Sequence, residues 1–278
     1  EISACLVGSE MCIRDSYVDA AKIIDNDDLQ FLSTPSMKIV MFYLNTQSAT
    51  PLSDKRVRQA IEYAIDKEAI VQAVCYGYGT VAYAIVPESV TEYKAVKEPH
   101  VYDLEKAKAL MAEAGCADGF SMEIWTSSTQ TNTEICQVIQ EQLAAINIDA
   151  EILVQDANTI DARIDAGDEY GMSLHFYSCN SGHAEYTLSN ILPTGMTRND
   201  SRFSSAEYDE AYYKWLVTVD EAERDELLTT MYEIQNDETP VIPLYNEVKI
   251  LGATKNLEGL ELSMIGAHQF ENAVVYVD

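Results

Sequence analysis

The chain has 278 residues, of which 46 are acidic and 18 basic, so its formal net charge at neutral pH is −28. A charge of this sign and size repels polyanions and argues against nucleic acid or an anionic membrane surface as a partner. The composition is 47% hydrophobic, which is enough for a packed core, but the longest apolar runs are far too short to span a bilayer.

The start of the chain differs from the rest. Residues 5–16, with the sequence CLVGSEMCIRDS, match the in-frame translation of a transposase adapter used in sequencing-library preparation. We therefore interpret residues 1–16 as an artefact and exclude them from the fold analysis. On this interpretation the coding sequence begins near Tyr17, well inside a gene, and a signal segment is missing.

The next elements are predicted from apolar patterns. Residues 17–32 indicate the end of a helix and an acidic loop, and residues 38–45 form a compact apolar run typical of a strand. From Val57, apolar residues recur at i, i+3, i+4, i+7 and i+8, which predicts an amphipathic helix. Asp66 provides the cap of a second helix, which ends at glycine before a long connection over residues 80–99.

Helices and strands alternate after residue 102. Such alternation, at this spacing, favours an α/β fold with a parallel or mixed sheet. The predicted helices cover residues 103–115, 130–146, 159–166, 204–217 and 220–237, and the predicted strands cover residues 120–126, 148–154, 172–177 and 239–245.

Four stretches resemble motifs of one protein family. They are PLSDKRVRQAIEYAIDKEAIV at residues 51–71, DLEKAKALMAEAG at 103–115, PVIPLY at 240–245, and the closing segment 257–273 with FENA near its end. Together they resemble solute-binding proteins of family 5, the oligopeptide-, dipeptide- and nickel-binding receptors of ABC importers. The resemblance covers residues 17–278.

The resemblance implies an α/β fold of the class II periplasmic-binding-protein type, in which two lobes close on a solute. It assigns residues 17–50 to a remnant of the first lobe and a hinge strand, and residues 51–255 to the second lobe. Residues 256–278 would return to a largely missing first lobe. The chain is then expected to be the C-terminal portion of a receptor, to act outside the cytoplasmic membrane in the periplasm or as a cell-surface lipoprotein, and to bind poorly by itself.

The partners implied are a peptide or other small-molecule ligand and the membrane permease of an ABC importer, and the receptor is expected to be a monomer. No catalytic nucleophile, dinucleotide fingerprint, phosphate loop or H-E-x-x-H motif surrounds the four histidines, so no enzyme, catalytic residue or cofactor is predicted. The cysteines lack metal-ligand spacing, so neither a metal site nor a disulfide framework is predicted.

The segment 175–186 is the expected ligand contact because loops at strand ends face the crevice in open α/β sheets. In the family, the matching segment carries a tryptophan that packs on the ligand and an aspartate that holds a peptide's amino group. Phe176 takes the aromatic position, but neutral Cys179 stands on or beside the aspartate position, which argues against a free-amine dipeptide. Glu185 or an upstream residue is the alternative carboxylate.

Nine residues form the predicted binding set, with core packing or a solvated surface as the alternative role for several of them. They are Tyr83, Trp125, Phe176, Tyr177, Ser178, Cys179, Asn180, His183 and Glu185. Two other functions remain open at this point: a ligand-sensing domain of a regulator or chemoreceptor, and an enzyme that reuses the fold. Titratable groups with perturbed pKa values, clustered in the cleft, would favour the enzyme.

Overall fold

The computed structural model describes residues 17–265 and 267–276, so the predicted artefact at residues 1–16 lies outside the described part. The helices there are α1 Tyr17–Ile24, α2 Lys55–Ala64, α3 Lys67–Cys75, α4 Leu104–Glu113, α5 Gln130–Ala144, α6 Ala157–Asp165, α7 Glu185–Ile191, α8 Ala206–Val217 and α9 Glu221–Glu238. The strands are β1 Leu29–Leu44, β2 Thr80–Val81, β3 Phe120–Ser127, β4 Ile148–Gln155, β5 Met172–Ser178, β6 Val241–Thr254, β7 Leu257–Glu258, β8 Glu261–Leu262, β9 His268–Gln269 and β10 Val274–Val275.

The main sheet is mixed, as the alternation of helices and strands predicts. Its strand order is β2-β6-β1-β5-β3-β4. β3 pairs in parallel with β4 and β5, whereas β1 is antiparallel to both of its neighbours, β5 and β6. Two small two-stranded sheets, β7 with β10 and β8 with β9, follow the main sheet in the chain.

The second half of β1 is buried on both faces. Successive side chains of a strand point to opposite faces, so its run of apolar residues serves two cores. Val40, Phe42 and Leu44 pack in the core formed with α2, α3, α4 and α5. Ile39, Met41 and Tyr43 pack in the core formed with α7, α8 and α9. The sheet is therefore the middle layer of an α/β/α arrangement.

Two aspartates begin the helices of the 51–71 motif. The side chain of Asp54 accepts a hydrogen bond from the backbone N–H of Arg56 at the start of α2, and Asp66 accepts one from Ala69 at the start of α3. Such caps satisfy donors that the first helical turn leaves unpaired. The prediction of two helices joined at Asp66 is confirmed.

β1 and β6 are longer than the sequence predicts. They pair from Leu29 opposite Thr254 to Tyr43 opposite Val241, with register irregularities between Pro35 and Met41. The prediction of an acidic loop reaching residue 32 is therefore wrong at its end, because residues 29–32 belong to β1. The first half of β1 pairs only with β6, and it mixes polar and apolar residues. It therefore lacks the continuous apolar run of residues 39–44 that made the second half predictable.

A buried charged cluster holds α2 to α3 and to the segment before α4. Lys67 Nζ lies 2.8 Å from Glu62 Oε1, and His100 Nδ1 lies 3.0 Å from Glu62 Oε2. The side chains of Glu62 and Lys67 are each 3% exposed. Burial raises the pKa of Glu62, but Lys67 and His100 outweigh that effect and hold it below its ordinary value. The carboxylate thus stays charged, and it compensates the buried lysine.

We predict that Glu62→Gln lowers the free energy of unfolding by about 3–5 kcal/mol, because it leaves the Lys67 ammonium buried without a counter-charge. Urea denaturation followed by circular dichroism measures the change. Glu68→Gln, at an exposed position on α3, is the matched control and is expected to change stability by less than about 0.5 kcal/mol. Adding Lys67→Met to Glu62→Gln should restore much of the loss, and a double variant less stable than the single one contradicts the charge argument.

Candidate functional site

A cavity of about 570 Å³ opens where β3 and β5 end and α6 begins. Its wall includes Ser127 at the end of β3, Ile160 and Asp161 on α6, and residues 174–178 of β5. The carboxyl ends of parallel strands are where open α/β sheets bind ligands, and the volume suits a small molecule. We take this cavity as the candidate site.

A second cavity of about the same volume lies elsewhere and lacks the expected features. It is bordered by residues 94–100, by Tyr63 and Lys106, and by α9. None of the nine predicted binding residues lines it. The two cavities have the same volume, so size does not distinguish them. The position of the first cavity at the ends of β3 and β5 makes it the better candidate.

One edge of β5 is open at the candidate site. β5 pairs with β1 along its whole length, from Met172 opposite Leu44 to Ser178 opposite Lys38. On its other side it pairs with β3 only at Met172 and Ser173. Among the described strands, none pairs with residues 174–178 on that side, and these residues line the cavity. The cavity thus borders backbone groups that another extended chain could pair with.

Aromatic side chains form part of the cavity wall. Phe176 is 60% exposed, an unusual state for a large apolar side chain. Lys38 Nζ lies 4.2 Å from the centre of its ring, and the same ammonium binds Glu247 Oε1 at 3.2 Å. The rings of Tyr177 and Tyr186 lie 5.6 Å apart. These rings provide apolar and stacking surface for a ligand.

The structure brings four of the nine predicted residues together at the cavity: Phe176, Tyr177, Ser178 and Asn180. Cys179, between them in sequence, points away into the core and is fully buried. Its thiol donates to the backbone carbonyl oxygen of His183 at 2.9 Å, and burial raises its pKa. The cysteine therefore packs in the core that supports the loop.

The other predicted residues lie outside the cavity wall. Trp125 is fully buried, and its indole N–H donates to Glu123 Oε2 at 2.7 Å. Tyr83 is half-buried with its ring 4.5 Å from Lys67 Nζ. His183 and Glu185 are exposed and do not line the cavity. Packing against neighbouring side chains accounts for the tryptophan and the tyrosine.

Three charged residues of the cavity were not predicted. They are Asp161 on α6, and Arg198 and Asp200 in the loop before α8. His175, on β5, also lines the cavity and belongs to the predicted segment 175–186, although it is not one of the nine predicted residues. Arg198 Nη1 binds Asp161 Oδ2 at 3.1 Å, and His175 Nδ1 lies 3.9 Å from Asp200 Oδ2. No motif marks the loop residues, and in so acidic a chain single aspartates do not stand out.

The pKa values of His175 and Asp200 are shifted in opposite directions by burial. Burial lowers the pKa of His175 to about 4, so the imidazole is neutral at pH 7. Burial raises the pKa of Asp200 to about 6, and the negative charge of Asp161 adds to this shift. Above pH 6 the cavity therefore contains a buried, charged carboxylate beside a neutral imidazole.

The loop that carries Asp200 is held rigidly by its neighbours. The Asn199 amide donates to three backbone carbonyl oxygens, those of Leu192, Pro193 and Phe203, at 2.7–3.2 Å. Asn199 Oδ1 accepts from the backbone N–H of Phe203 at 3.0 Å, and the Tyr170 hydroxyl donates to the backbone carbonyl of Asp200. This network fixes the backbone of the loop from which the Asp200 side chain projects.

Comparison with known proteins gives a consistent result. The profile of bacterial extracellular solute-binding proteins, family 5 Middle, matches residues 12–197. The glutathione-binding protein GsiB of Salmonella paratyphi A is 31% identical over 268 residues, covering 92% of this chain and 52% of that protein. GsiB of Escherichia coli O157:H7 is 30% identical with the same coverage. The chain spans about half the length of these curated relatives.

Solved structures share the fold. HbpA2 from Haemophilus parasuis is 25% identical, with a TM-score of 0.83 over 94% of this chain and 53% of its own. The periplasmic binding protein DppA from Helicobacter pylori, in complex with the peptide STSA, is 22% identical, with a TM-score of 0.83 over 96% of this chain and 52% of its own. The predicted α/β fold of the periplasmic-binding-protein type is confirmed.

The described residues were also considered as possible metal ligands and membrane spans, with the following result. In the described part of the chain, no group of three or more His, Cys, Asp or Glu side chains is arranged to hold a metal ion. Within residues 17–265 and 267–276, no helix combines the length and the apolar character that crossing a bilayer requires.

We predict that Asp200→Asn raises the free energy of unfolding by roughly 1–3 kcal/mol at pH 8, because a shift of about two pKa units corresponds to nearly 3 kcal/mol. The folded-state pKa, about 6, exceeds the ordinary value of 3.8, so the cost of the charge is fully present above pH 6. The gain should shrink as the pH falls from 6 towards 3.8, and it should vanish only well below 3.8, where the carboxyl is protonated in both states.

Urea denaturation at pH 8, 6 and 4 measures this difference. The control is Asp165→Asn, which removes an exposed aspartate on α6 that does not line the cavity. Asp165→Asn is expected to change the free energy of unfolding only slightly, and by a similar amount at each pH. An Asp200→Asn variant less stable than the parent at pH 8 contradicts the assigned cost.

Proposed function

The chain belongs to the bacterial extracellular solute-binding proteins of family 5, and we propose that it acts in an extracytoplasmic receptor that captures a peptide or similar small solute. The receptor would deliver this solute to the membrane permease of an ABC importer. Its relatives are named as binding proteins for glutathione, and a structural neighbour was solved with a bound peptide. We further propose that the receptor is monomeric and needs no cofactor.

The open edge of β5 carries this proposal. Residues 174–178 lack a strand partner on the cavity side among the described strands, and a peptide in extended conformation can supply one. Main-chain hydrogen bonds at a sheet edge bind peptides of many sequences, while side chains around the edge select among them. Phe176, Tyr177 and Tyr186 offer such selective surface.

Lobe closure would complete the site. We propose that residues 51–255 form the second lobe, with residues 17–50 and 256–278 belonging to the first lobe and the hinge. β1 and β6 run along each other over most of their length, and their register irregularities between Pro35 and Met41 lie where such a hinge would fall. Hinge closure shifts the population from open to closed forms when the ligand contacts both lobes. One lobe makes only part of those contacts, so the chain by itself should bind weakly.

One observation favours an enzymatic function. Ser173 Oγ lies 2.7 Å from His175 Nε2, and Asp200 lies beyond the same imidazole, an order that resembles a catalytic triad. Ser173 is fully buried, however, and its hydroxyl cannot reach a substrate. The distance of 3.9 Å between His175 and Asp200 also exceeds a hydrogen bond. The perturbed groups therefore fit binding better than nucleophilic catalysis, and the relatives are binding proteins, not enzymes.

We predict that Phe176→Ala weakens binding of glutathione or of the dipeptide Ala-Phe by about 3–10-fold, since an aromatic contact contributes roughly 0.5–1.5 kcal/mol. Stability should hardly change, because this side chain is mostly exposed. Titration of the 278-residue chain, followed by amide chemical shifts in nuclear magnetic resonance, measures affinities in the millimolar range expected for one lobe.

The control for this titration is Tyr213→Ala, an aromatic residue on α8 that is 52% exposed and does not line the cavity. It should leave the affinity unchanged. If neither compound shifts residues 174–178 of the parent chain, the proposed solute class is wrong. A permease gene and an ATPase gene beside this gene would support the importer.

A further inference from the structure

The ring of Phe176 lies in the cavity wall with little protein around it. The side chain is 60% exposed, and it is one of the residues that line the cavity. An exposed side chain samples several rotamers, and ordering it when a ligand binds costs free energy. A contact that already holds the ring in the free protein therefore favours binding.

Lys38 supplies such a contact from the neighbouring strand. In the register of β1 with β5, Phe176 lies opposite Val40. Lys38, two positions before Val40, is therefore a diagonal neighbour of Phe176 on the same face of the sheet. Its Nζ lies 4.2 Å from the centre of the ring. An ammonium group in this position is attracted by the negative face of the aromatic ring.

Glu247 on β6 holds the ammonium group of Lys38. Lys38 Nζ lies 3.2 Å from Glu247 Oε1, and the two side chains are 26% and 16% exposed. Burial raises the pKa of Glu247, but the ammonium groups of Lys38 and Lys249 outweigh burial and hold the pKa below its ordinary value. The carboxylate is therefore charged at neutral pH. Because β6, β1 and β5 are neighbours in the sheet, Glu247, Lys38 and Phe176 form a row of contacts across three strands.

This row of contacts begins at an irregularity of the sheet. Between two regular pairings, residues 36–38 of β1 lie opposite the single residue Glu247 of β6. Such a bulge changes the direction of the side chains that it carries. The backbone N–H of Cys179, just after β5, donates to the Met37 carbonyl oxygen at 2.8 Å. Lys38 thus projects from a bulge that the neighbouring segment holds in place.

We propose that Lys38 is a positioning residue of the candidate site, and that its ammonium group, anchored on Glu247, holds the Phe176 ring ready to stack against the ligand. Lys38 does not line the cavity, so it acts through the ring. The opposite face of the ring is left for an apolar or aromatic group of the ligand. This inference rests on the proposed function and adds to that site a residue outside the cavity wall.

The first measurement needs no ligand. Three-bond couplings from Phe176 Cγ to the backbone nitrogen and carbonyl carbon give the rotamer populations of the ring in the 278-residue chain. One rotamer should predominate in the parent. Lys38→Met keeps a long apolar side chain without the charge, so it should give averaged couplings. Lys38→Arg should keep the parent rotamer, because a guanidinium group retains the charge and stacks on aromatic faces.

The second measurement titrates the same variants with Ala-Phe and with 2-phenylethanol, followed by the amide shifts of residues 174–178. Lys38→Met should weaken binding of both probes by about 2–5-fold, as expected for the loss of one contact between an ammonium group and an aromatic ring. In a Phe176→Ala background the same substitution should have no further effect, because the ring through which Lys38 acts is absent.

Lys249→Met is the matched control. Lys249 binds the same carboxylate, with Nζ 2.6 Å from Glu247 Oε2, but it does not line the cavity. The rotamer of Phe176 and both affinities should remain as in the parent chain. The inference is overturned by an unchanged rotamer in Lys38→Met, by an equal effect of Lys249→Met, or by a full effect of Lys38→Met when Phe176 is absent.

The two probes separate this inference from the proposed function. If Ala-Phe binds and Lys38→Met changes neither its affinity nor the rotamer of Phe176, the peptide receptor stands and the role of Lys38 falls. If 2-phenylethanol binds in a manner that depends on Lys38 while Ala-Phe and glutathione do not bind, the role of Lys38 stands and the peptide class falls. If neither probe shifts residues 174–178, both proposals fall.

Discussion

The structure depends on one strand that is buried on both faces. Residues 39–44 of β1 send alternate side chains into two separate cores, so the strand can neither shift its register nor leave the sheet without disrupting both. Its last residue leads into Asn45, whose amide donates to the Tyr170 carbonyl oxygen at 3.1 Å. The backbone N–H and hydroxyl of Thr46 both donate to the Ser201 carbonyl oxygen. The central strand thus positions the loop that carries Asp200.

The sequence predicted those parts of the fold whose residues carry a local physical signal. The two helices after Pro51 have aspartate caps and an apolar stripe, and the buried half of β1 is a continuous run of branched and aromatic residues. The far halves of β1 and β6 have no comparable signal. They pair with each other, and their mixed composition reflects partial burial against α1, where Gly252 leaves room for Ile23. That pairing joins residues more than two hundred positions apart.

The sequence predicted the residues of the site that follow a strand directly. It did not predict the residues that a distant loop brings to the cavity. Phe176, Tyr177, Ser178 and Asn180 were found because residues at the end of a predicted strand face the crevice. Trp125 also lies near the end of a strand, yet its ring is enclosed by Tyr170 and Arg163, and only the packing of α6 reveals this. Asp200 was missed because it is distinguished by its burial and by the absence, among the described residues, of a hydrogen bond to its carboxylate. Neither property has a signature in one sequence that contains 46 acidic residues.

The overall charge of −28 carries little information about the ligand. Exposed carboxylates are hydrated and screened within about 8–10 Å at physiological salt, so most of them contribute little field in the cavity. A buried carboxylate is different, because burial makes its charge costly and raises its pKa. Asp200 differs in this respect from Asp161, the other aspartate that lines the cavity, because Asp161 forms an ion pair with Arg198.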